Sequence, residues 1–181
     1  LDELVTYAKA NPGKLNFAVT GVNNQLASHI LRTIAGVTIV DVPYKGTAQT
    51  LQALVAGEID LVADGVAAYL PAMKQGRLVT LATTGNTRYF PEVATSREQG
   101  YPQLYFAPWI GTFAPAGTSR VVIDRLNAEI GKALAHTATR ERMVSYGLAP
   151  QSSTPEQLGT MLREDLARWA PIIKAAGLKL D

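Results

Sequence analysis

The sequence contains no cysteine and only two histidines, His29 and His136. Disulfide bonds and thiolate chemistry are therefore excluded, and a histidine-rich metal site is not expected. Aromatic residues make up 7% of the chain, and no apolar run approaches the roughly 20 residues that cross a bilayer as a helix. The formal net charge is only +2 and the basic residues are scattered, so the charge pattern does not indicate a nucleic-acid partner.

The familiar motifs of enzymes are also missing. The chain has no G-x-S-x-G elbow, no phosphate-loop lysine motif and no G-x-G-x-x-G dinucleotide fingerprint. Neither histidine is placed near a serine and an acid in the pattern of a catalytic triad. We therefore expect no catalytic residue, no cofactor and no metal ligand.

What the sequence does contain is an alternation of short apolar strands and amphipathic helices over its first hundred residues. The predicted strands are 15–19, 37–42, 59–63 and 77–82, and the helices between them are 26–35, 47–56 and 66–75. An opening helix carries apolar residues at helical spacing and stops at Asn11-Pro12-Gly13. Such alternation is typical of right-handed βαβ units in a parallel sheet.

A polar loop follows each of the first three predicted strands. In open parallel sheets, ligands lie beyond the carboxyl ends of the strands, where glycine permits close backbone approach and helix N-termini attract anions. The first loop, 20–25, contains one glycine followed by three side-chain amides. The candidate ligand-binding residues are Thr20, Gly21, Val22, Asn23, Asn24, His29, Tyr44, Lys45, Gly46, Asp64 and Gly65.

Each of these candidates also has a purely structural interpretation. The loop 20–25 is equally well explained as a tight turn, because polar loops after strands are common. His29 could reach a ligand carboxylate or lie half-buried on its helix. Asp64 could accept from a ligand donor or from water, or cap the next helix, and Lys45 could be solvated.

From residue 119 onward the pattern is mostly helical. Helices are predicted at 121–135 and 139–146, and a third begins at Thr154, an N-cap followed by Pro155, and continues towards 176. Little strand remains here for these helices to cover, which suggests that their sheet lies elsewhere. We therefore divide the chain into an α/β ligand-binding part, 1–107, and a helical part, 108–181; the family resemblance described next implies that the second part is a return segment with helices of another lobe.

Several segments together resemble the solute-binding receptors of tripartite tricarboxylate transporters, the Bug or TctC family. The matching segments are YAKANPGKLN at 7–16, VPYKG at 42–46, GEIDLV at 57–62, WIGTFAPAGT at 109–118 and LNAEIGKAL at 126–134. Each is weak alone, whereas their order and spacing along nearly the whole chain are specific. The family usually has G-x-G-[ST]-x-x-H in the first loop; here Gly21 and His29 stand further apart and the second glycine is absent.

The resemblance implies an α/β protein of the type II periplasmic-binding-protein fold, with one βαβ lobe and the C-terminal helices of a partly missing second lobe. It implies a periplasmic receptor that delivers a small organic acid, such as a di- or tricarboxylate, an aromatic carboxylate or an amino acid, to a membrane permease. Family members carry roughly a hundred further residues in front, including a P-F-x-x-G-G loop, a sizeable part of a domain. An exposed apolar face left by that incomplete lobe would favour a homodimer.

Two other functions are compatible with the same pattern. The first is the effector-binding domain of a LysR-type transcription regulator, which uses a similar two-lobed fold and has a winged helix-turn-helix upstream. The second is a small α/β enzyme, against which the missing catalytic constellation counts. A winged helix-turn-helix encoded before Leu1 would indicate the transcription regulator. Turnover of a ligand would indicate the enzyme.

Overall fold

The computed structural model describes residues 1–85, 88 and 90–177. It divides into two compact units, and each is described by itself. The first unit comprises Leu1–Pro108 with the described residues Ala176 and Gly177, and the second comprises Trp109–Ala175.

Among its described residues, the first unit contains two strands, β1 (Asn16–Val19) and β2 (Val40–Pro43). Its helices are α1 (Asp2–Ala10), α2 (Val22–Ala35), α3 (Thr47–Ala56), a single 3₁₀ turn (Val66–Ala68) and α4 (Leu70–Lys74). Helix α3 has the predicted bounds. Helix α2 ends as predicted at Gly36, whose φ of 62° is the left-handed conformation that glycine adopts without strain.

Strand β1 forms backbone hydrogen bonds on both of its sides. It pairs with β2 in parallel, with Asn16 opposite Val40 and Val19 opposite Pro43. On its other edge the Ala18 N–H donates to the Leu61 carbonyl at 2.9 Å, and Leu61 returns a bond to the Asn16 carbonyl at 3.1 Å. The segment around Leu61 therefore also runs parallel to β1. The carboxyl ends of these three successive chain segments consequently lie on the same side of the sheet, which we call its carboxyl edge.

The core of this unit lies between the sheet and helices α2 and α3. Ala18, Ala53 and Ile59 form a buried cluster, and Tyr44 and Val62 pack against it. Helix α2 buries Ala27, Leu31 and Ala35 at intervals of four residues, and Leu26 and Ile30 lie on the adjoining part of the same face. Burial of this apolar face holds α2 in place and so determines where its N-terminus lies.

The structure corrects several predicted elements. Strand β2 begins at Val40 rather than at residue 37, and of the predicted strand 59–63 only Leu61 forms a bridge, with Phe17. None of the residues in the predicted strand 77–82, all of which are described, lies in a strand, and Val79 is 81% exposed. An apolar run alone does not specify a strand, because the strand also needs a partner.

The predicted helix 66–75 is interrupted. It consists of the 3₁₀ turn followed by α4, which begins at Leu70 and carries Pro71 in its first turn. Proline has no N–H and clashes with the carbonyl four residues earlier, so it is tolerated in a first turn but not in the helix interior. Pro71 therefore forces a new helix to begin just before it.

Three helices, α5 (Arg120–Ala135), α6 (Thr137–Ser145) and α7 (Pro155–Ala176), lie in the second unit, apart from Ala176 at the end of α7. The predicted cap of α7 is confirmed: the Gln157 N–H donates to Thr154 Oγ1 at 3.2 Å, and the Thr154 N–H donates to Gln157 Oε1 at 2.8 Å. This reciprocal pair is a capping box. No residue of these three described helices is buried.

Candidate functional site

Two helices of the first unit begin side by side at the carboxyl edge of the sheet. Helix α2 starts at Val22, three residues after β1 ends, and α3 starts at Thr47, four residues after β2 ends. Val19 and Pro43, the last residues of the two strands, are paired with each other. The two helices therefore start at the same height along the strand direction. Neither N-cap, Gly21 or Gly46, makes a side-chain capping bond. This edge therefore presents backbone N–H groups and two positive helix-dipole ends.

The predicted first loop is shorter than expected. Helix α2 begins at Val22 rather than at residue 26, so Val22, Asn23 and Asn24 form its first turn, and the Gln25 N–H makes the first intrahelical bond, to the Gly21 carbonyl at 3.1 Å. The prediction started the helix at its first apolar periodic residue. First-turn positions accept polar residues, because their N–H groups lack intrahelical partners in any case.

The two asparagines of this turn have different environments. Asn24 is 6% exposed; its Oδ1 accepts from Thr20 Oγ1 at 2.6 Å and its Nδ2 donates to the Ala63 carbonyl at 2.5 Å. Asn23 is exposed at the surface. The Asn24 side chain therefore ties α2 to the segment that follows Leu61, whereas the Asn23 side chain faces solvent.

Asp64 is exposed and accepts three hydrogen bonds from the protein. Its Oδ2 accepts from Thr47 Oγ1 and from the Tyr69 hydroxyl, both at 3.0 Å, and its Oδ1 accepts from the Gly65 N–H at 2.7 Å. It is not the N-cap of the following 3₁₀ turn, a position that Gly65 occupies. Burial first, and then the Asp64 carboxylate, raise the pKa of the Tyr69 hydroxyl, which therefore remains a donor at neutral pH.

The second predicted loop, Tyr44 to Gly46, connects β2 to α3. Tyr44 is half-buried and donates its N–H to the Val19 carbonyl at 2.8 Å. The Lys45 side chain is exposed, and its N–H donates to Gln49 Oε1 at 3.1 Å. This loop therefore contributes the start of α3 and an exposed cation beside it.

His29 lies apart from the other predicted residues. With α2 beginning at Val22, His29 is seven residues further along, about 10 Å down the helix axis. The structure thus brings the three predicted loops together at the carboxyl edge of the sheet. His29 lies two helical turns away from that edge.

One group of polar residues was not singled out from the sequence. Ser28, which is fully buried, donates to Asp41 Oδ1 at 2.5 Å, and Arg32 pairs with Asp41 Oδ2 at 3.1 Å. These bonds attach α2 to β2 directly. The available signal was Asp41 itself, a charged residue within an otherwise apolar strand.

Thr47 and Tyr69 were also missed, because their contacts with Asp64 join positions that are 17 and 5 residues apart. In the described part of the chain, no group of three or more histidine, aspartate or glutamate side chains is arranged to hold a metal ion. Nor is any described helix both long enough and apolar enough to cross a membrane.

Comparison with known proteins identifies the family. Residues 1–178 match the model of the tripartite tricarboxylate transporter family receptor. The chain is 36% identical to the UPF0065 protein in the tcbD-tcbE intergenic region of Pseudomonas sp. strain P51, over 96% of this chain and 53% of that protein. It is 32% identical to protein BugT of Bordetella pertussis, over 99% of this chain and 56% of BugT. The chain thus spans about half the length of these relatives.

Solved structures show the same fold. R. palustris Rpa4515 with adipate matches with a TM-score of 0.82 at 29% identity, over 98% of this chain and 60% of that one. MatC of Rhodopseudomonas palustris with bound malate gives 0.75 at 31% identity, over 96% and 61%. The periplasmic binding protein BugD gives 0.78 at 29% identity, over 99% and 62%.

The predicted fold class is confirmed by these matches, as a partial chain of the periplasmic-binding-protein type. The matching family is one of transporter receptors, which gives no support to the transcription-regulator alternative. The chain belongs to the tripartite tricarboxylate transporter receptor family, the TctC or Bug family.

Proposed function

We propose that this chain is the ligand-binding part of a receptor that captures a small organic carboxylate. The observation that carries the proposal is the pair of uncapped helix N-termini, those of α2 and α3, which begin at one level of the sheet. Unpaired N–H groups and aligned dipoles are a general anion site that needs no charged side chain. Similar proteins have been solved with adipate and with malate, which are both dicarboxylates.

In this proposal the backbone of the first turns binds the carboxylate. The α2 donors are the N–H groups of Val22, Asn23 and Asn24, and the α3 donors are those of Thr47, Ala48 and Gln49. The exposed Asn23 amide and Lys45 ammonium act at the rim, while Thr20 and Asn24 shape the turn. Gly21, Gly46 and Gly65 keep the backbone accessible, Tyr44 lines the site and His29 serves as a more distant contact.

The remaining roles follow from membership of the family. We propose a periplasmic location, delivery of the ligand to the membrane permease of a tripartite tricarboxylate-type transporter, and binding without catalysis. In this proposal residues 1–107 are the ligand-binding lobe and residues 108–181 belong to a second lobe. The chain spans about half the length of its relatives. We propose that a second copy of the chain packs against the helices of the second lobe and so forms a homodimer.

The carboxylate site can be tested by removing a single backbone donor. Proline is well tolerated at the first position of a helix but has no N–H, so Val22→Pro deletes one proposed donor while α2 still begins at the same residue. We expect the dissociation constants for adipate and malate, followed by NMR titration, to rise by roughly tenfold, the loss of one hydrogen bond to a charged group.

Thr137→Pro is the matched control. It makes the same replacement at the first residue of α6, which lies in the second unit. We expect this control to leave both dissociation constants unchanged. Equal affinities in wild type and Val22→Pro would contradict the assignment of the α2 N-terminus, and no binding of either acid to the wild-type chain would contradict the proposed function itself.

A further inference from the structure

The carboxylate of Asp64 is held by the protein in an unsymmetrical way. Both hydroxyl donors, Thr47 and Tyr69, bond to the same oxygen, Oδ2. The other oxygen, Oδ1, accepts only the Gly65 N–H among the bonds found in the described part of the chain. An ionised carboxylate offers about four acceptor positions, so roughly one remains, on Oδ1.

The two hydroxyl donors come from different elements. Thr47 is the first residue of α3, and Tyr69, a residue that is 6% exposed, directly precedes α4. A buried ring cannot move its hydroxyl without disturbing the core, so the Tyr69 donor is fixed. Asp64 itself is exposed, but two hydroxyl groups fix the orientation of its carboxylate. One belongs to Thr47 at the N-terminus of α3, and the other belongs to the buried Tyr69.

Asp64 lies where the proposed ligand would bind, because Thr47 supplies both the hydroxyl on Asp64 and the first N–H of α3. A ligand carboxylate at this N-terminus would be repelled by the Asp64 charge. A hydroxyl or ammonium group next to that carboxylate would instead donate to Oδ1. The arrangement therefore distinguishes ligands that carry such a donor from those that lack one.

We propose that Thr47 and Tyr69 are positioning residues that aim Asp64 at a donor group adjacent to the ligand carboxylate. The site then prefers hydroxy acids and amino acids over unsubstituted acids of the same length. This inference rests on the proposed carboxylate-receptor function and specifies its substrate class.

The test compares L-malate with succinate, which differ by one hydroxyl group, on the full 181-residue chain. We expect the wild type to bind malate roughly tenfold more tightly, since one hydrogen bond to a charged acceptor contributes about that factor. Tyr69→Phe and Thr47→Val each delete one hydroxyl and should each reduce this preference by about threefold. Thr47→Ser keeps the hydroxyl and should retain the wild-type preference for malate over succinate.

Tyr101→Phe is the matched control, because the Tyr101 hydroxyl donates to Asp2 Oδ1 at 2.9 Å, away from the three loop ends. It removes the same kind of tyrosine–aspartate bond and should leave the malate-to-succinate ratio unchanged. If Tyr69→Phe weakened both acids equally, or left the ratio unaltered, the positioning role would be overturned.

A second readout needs no ligand. The Gly65 N–H donates to Asp64 Oδ1, so its amide resonance reports the position of that carboxylate. Tyr69→Phe and Thr47→Val should shift this resonance, whereas Tyr101→Phe should not. A shift without any acid binding to the wild-type chain would support the positioning of Asp64 and overturn the receptor function; an unmoved resonance would overturn the positioning itself.

Discussion

At the scale of single residues, adjacent side chains of the same type differ in what they do. Asn24 is 6% exposed and joins α2 to the Ala63 carbonyl, whereas Asn23 in the same turn is exposed. We expect Asn24→Ala to lower the free energy of unfolding by about 1–3 kcal/mol, because the Ala63 carbonyl loses its partner.

Asn23→Ala is the control for this prediction and should change the unfolding free energy by less than about 0.5 kcal/mol. Urea denaturation followed by far-ultraviolet circular dichroism measures both variants. Equal stability of the two variants would show that the Asn24 bonds contribute nothing measurable.

The ion pair between Arg88 and Glu98 makes stability depend on pH. Arg88 Nε lies 2.9 Å from Glu98 Oε2, which also accepts from the Thr95 N–H at 2.7 Å. The Arg88 hydrogen bond, followed by that from Thr95, lowers the pKa of Glu98 from 4.5 to about 2. A lowered folded-state pKa gives stability that is present above the unfolded value and lost as the pH falls through the folded value.

We therefore expect wild type and Glu98→Gln to differ by a constant amount above pH 4.5 and to converge between pH 4.5 and about 2. Denaturant titrations of both proteins across this range measure the difference. A gap that does not vary with pH would show that Glu98 has the same pKa in the folded and unfolded chains.

At the scale of elements, helix ends are controlled by local chemistry. Thr154 and Gln157 cap α7 reciprocally, in contrast to the N-termini of α2 and α3, which make no side-chain capping bond. The capped end of α7 is thus expected to contribute to stability, whereas the N–H groups at the N-termini of α2 and α3 are left without side-chain caps.

We expect Thr154→Ala to destabilise the second unit by about 1 kcal/mol, and Thr154→Ser to retain the wild-type stability. Both tryptophans of the chain, Trp109 and Trp169, lie in that unit, so fluorescence reports its unfolding. Identical transitions for the alanine and serine variants would argue against the cap.

At the scale of the whole molecule, the helices of the second unit leave apolar side chains exposed. None of the residues of α5, α6 and α7, all of them described, is buried. On α5, Val122, Leu126 and Ile130 follow one another at intervals of four residues and are 46%, 49% and 36% exposed. An apolar stripe of this kind is typical of a surface that meets another surface.

We expect the purified chain to self-associate in a concentration-dependent way through this stripe, and Val122→Lys combined with Leu126→Lys to shift it to the monomer. Val79→Lys is the control, because Val79 is an 81% exposed apolar residue of the first unit. Sedimentation velocity over a range of concentrations measures the association. A strictly monomeric wild type would exclude the homodimer.

The sequence by itself determined the features that depend on neighbouring residues. The bounds of α3, the left-handed end of α2 at Gly36, and the cap of α7 at Thr154 were all predicted, because glycine, proline and threonine act on the backbone next to them. The order of short motifs also identified the family, which the family match confirms.

Only the tertiary structure decided which predicted site residues are already bonded within the protein. Asn24 reaches Ala63 across 39 residues and Thr47 reaches Asp64 across 17, and no local pattern encodes such contacts. For the same reason the predicted strand 77–82 was wrong: strands are completed by partners distant in sequence. Local chemistry sets where helices start and stop, whereas packing decides which of their polar groups remain for a ligand.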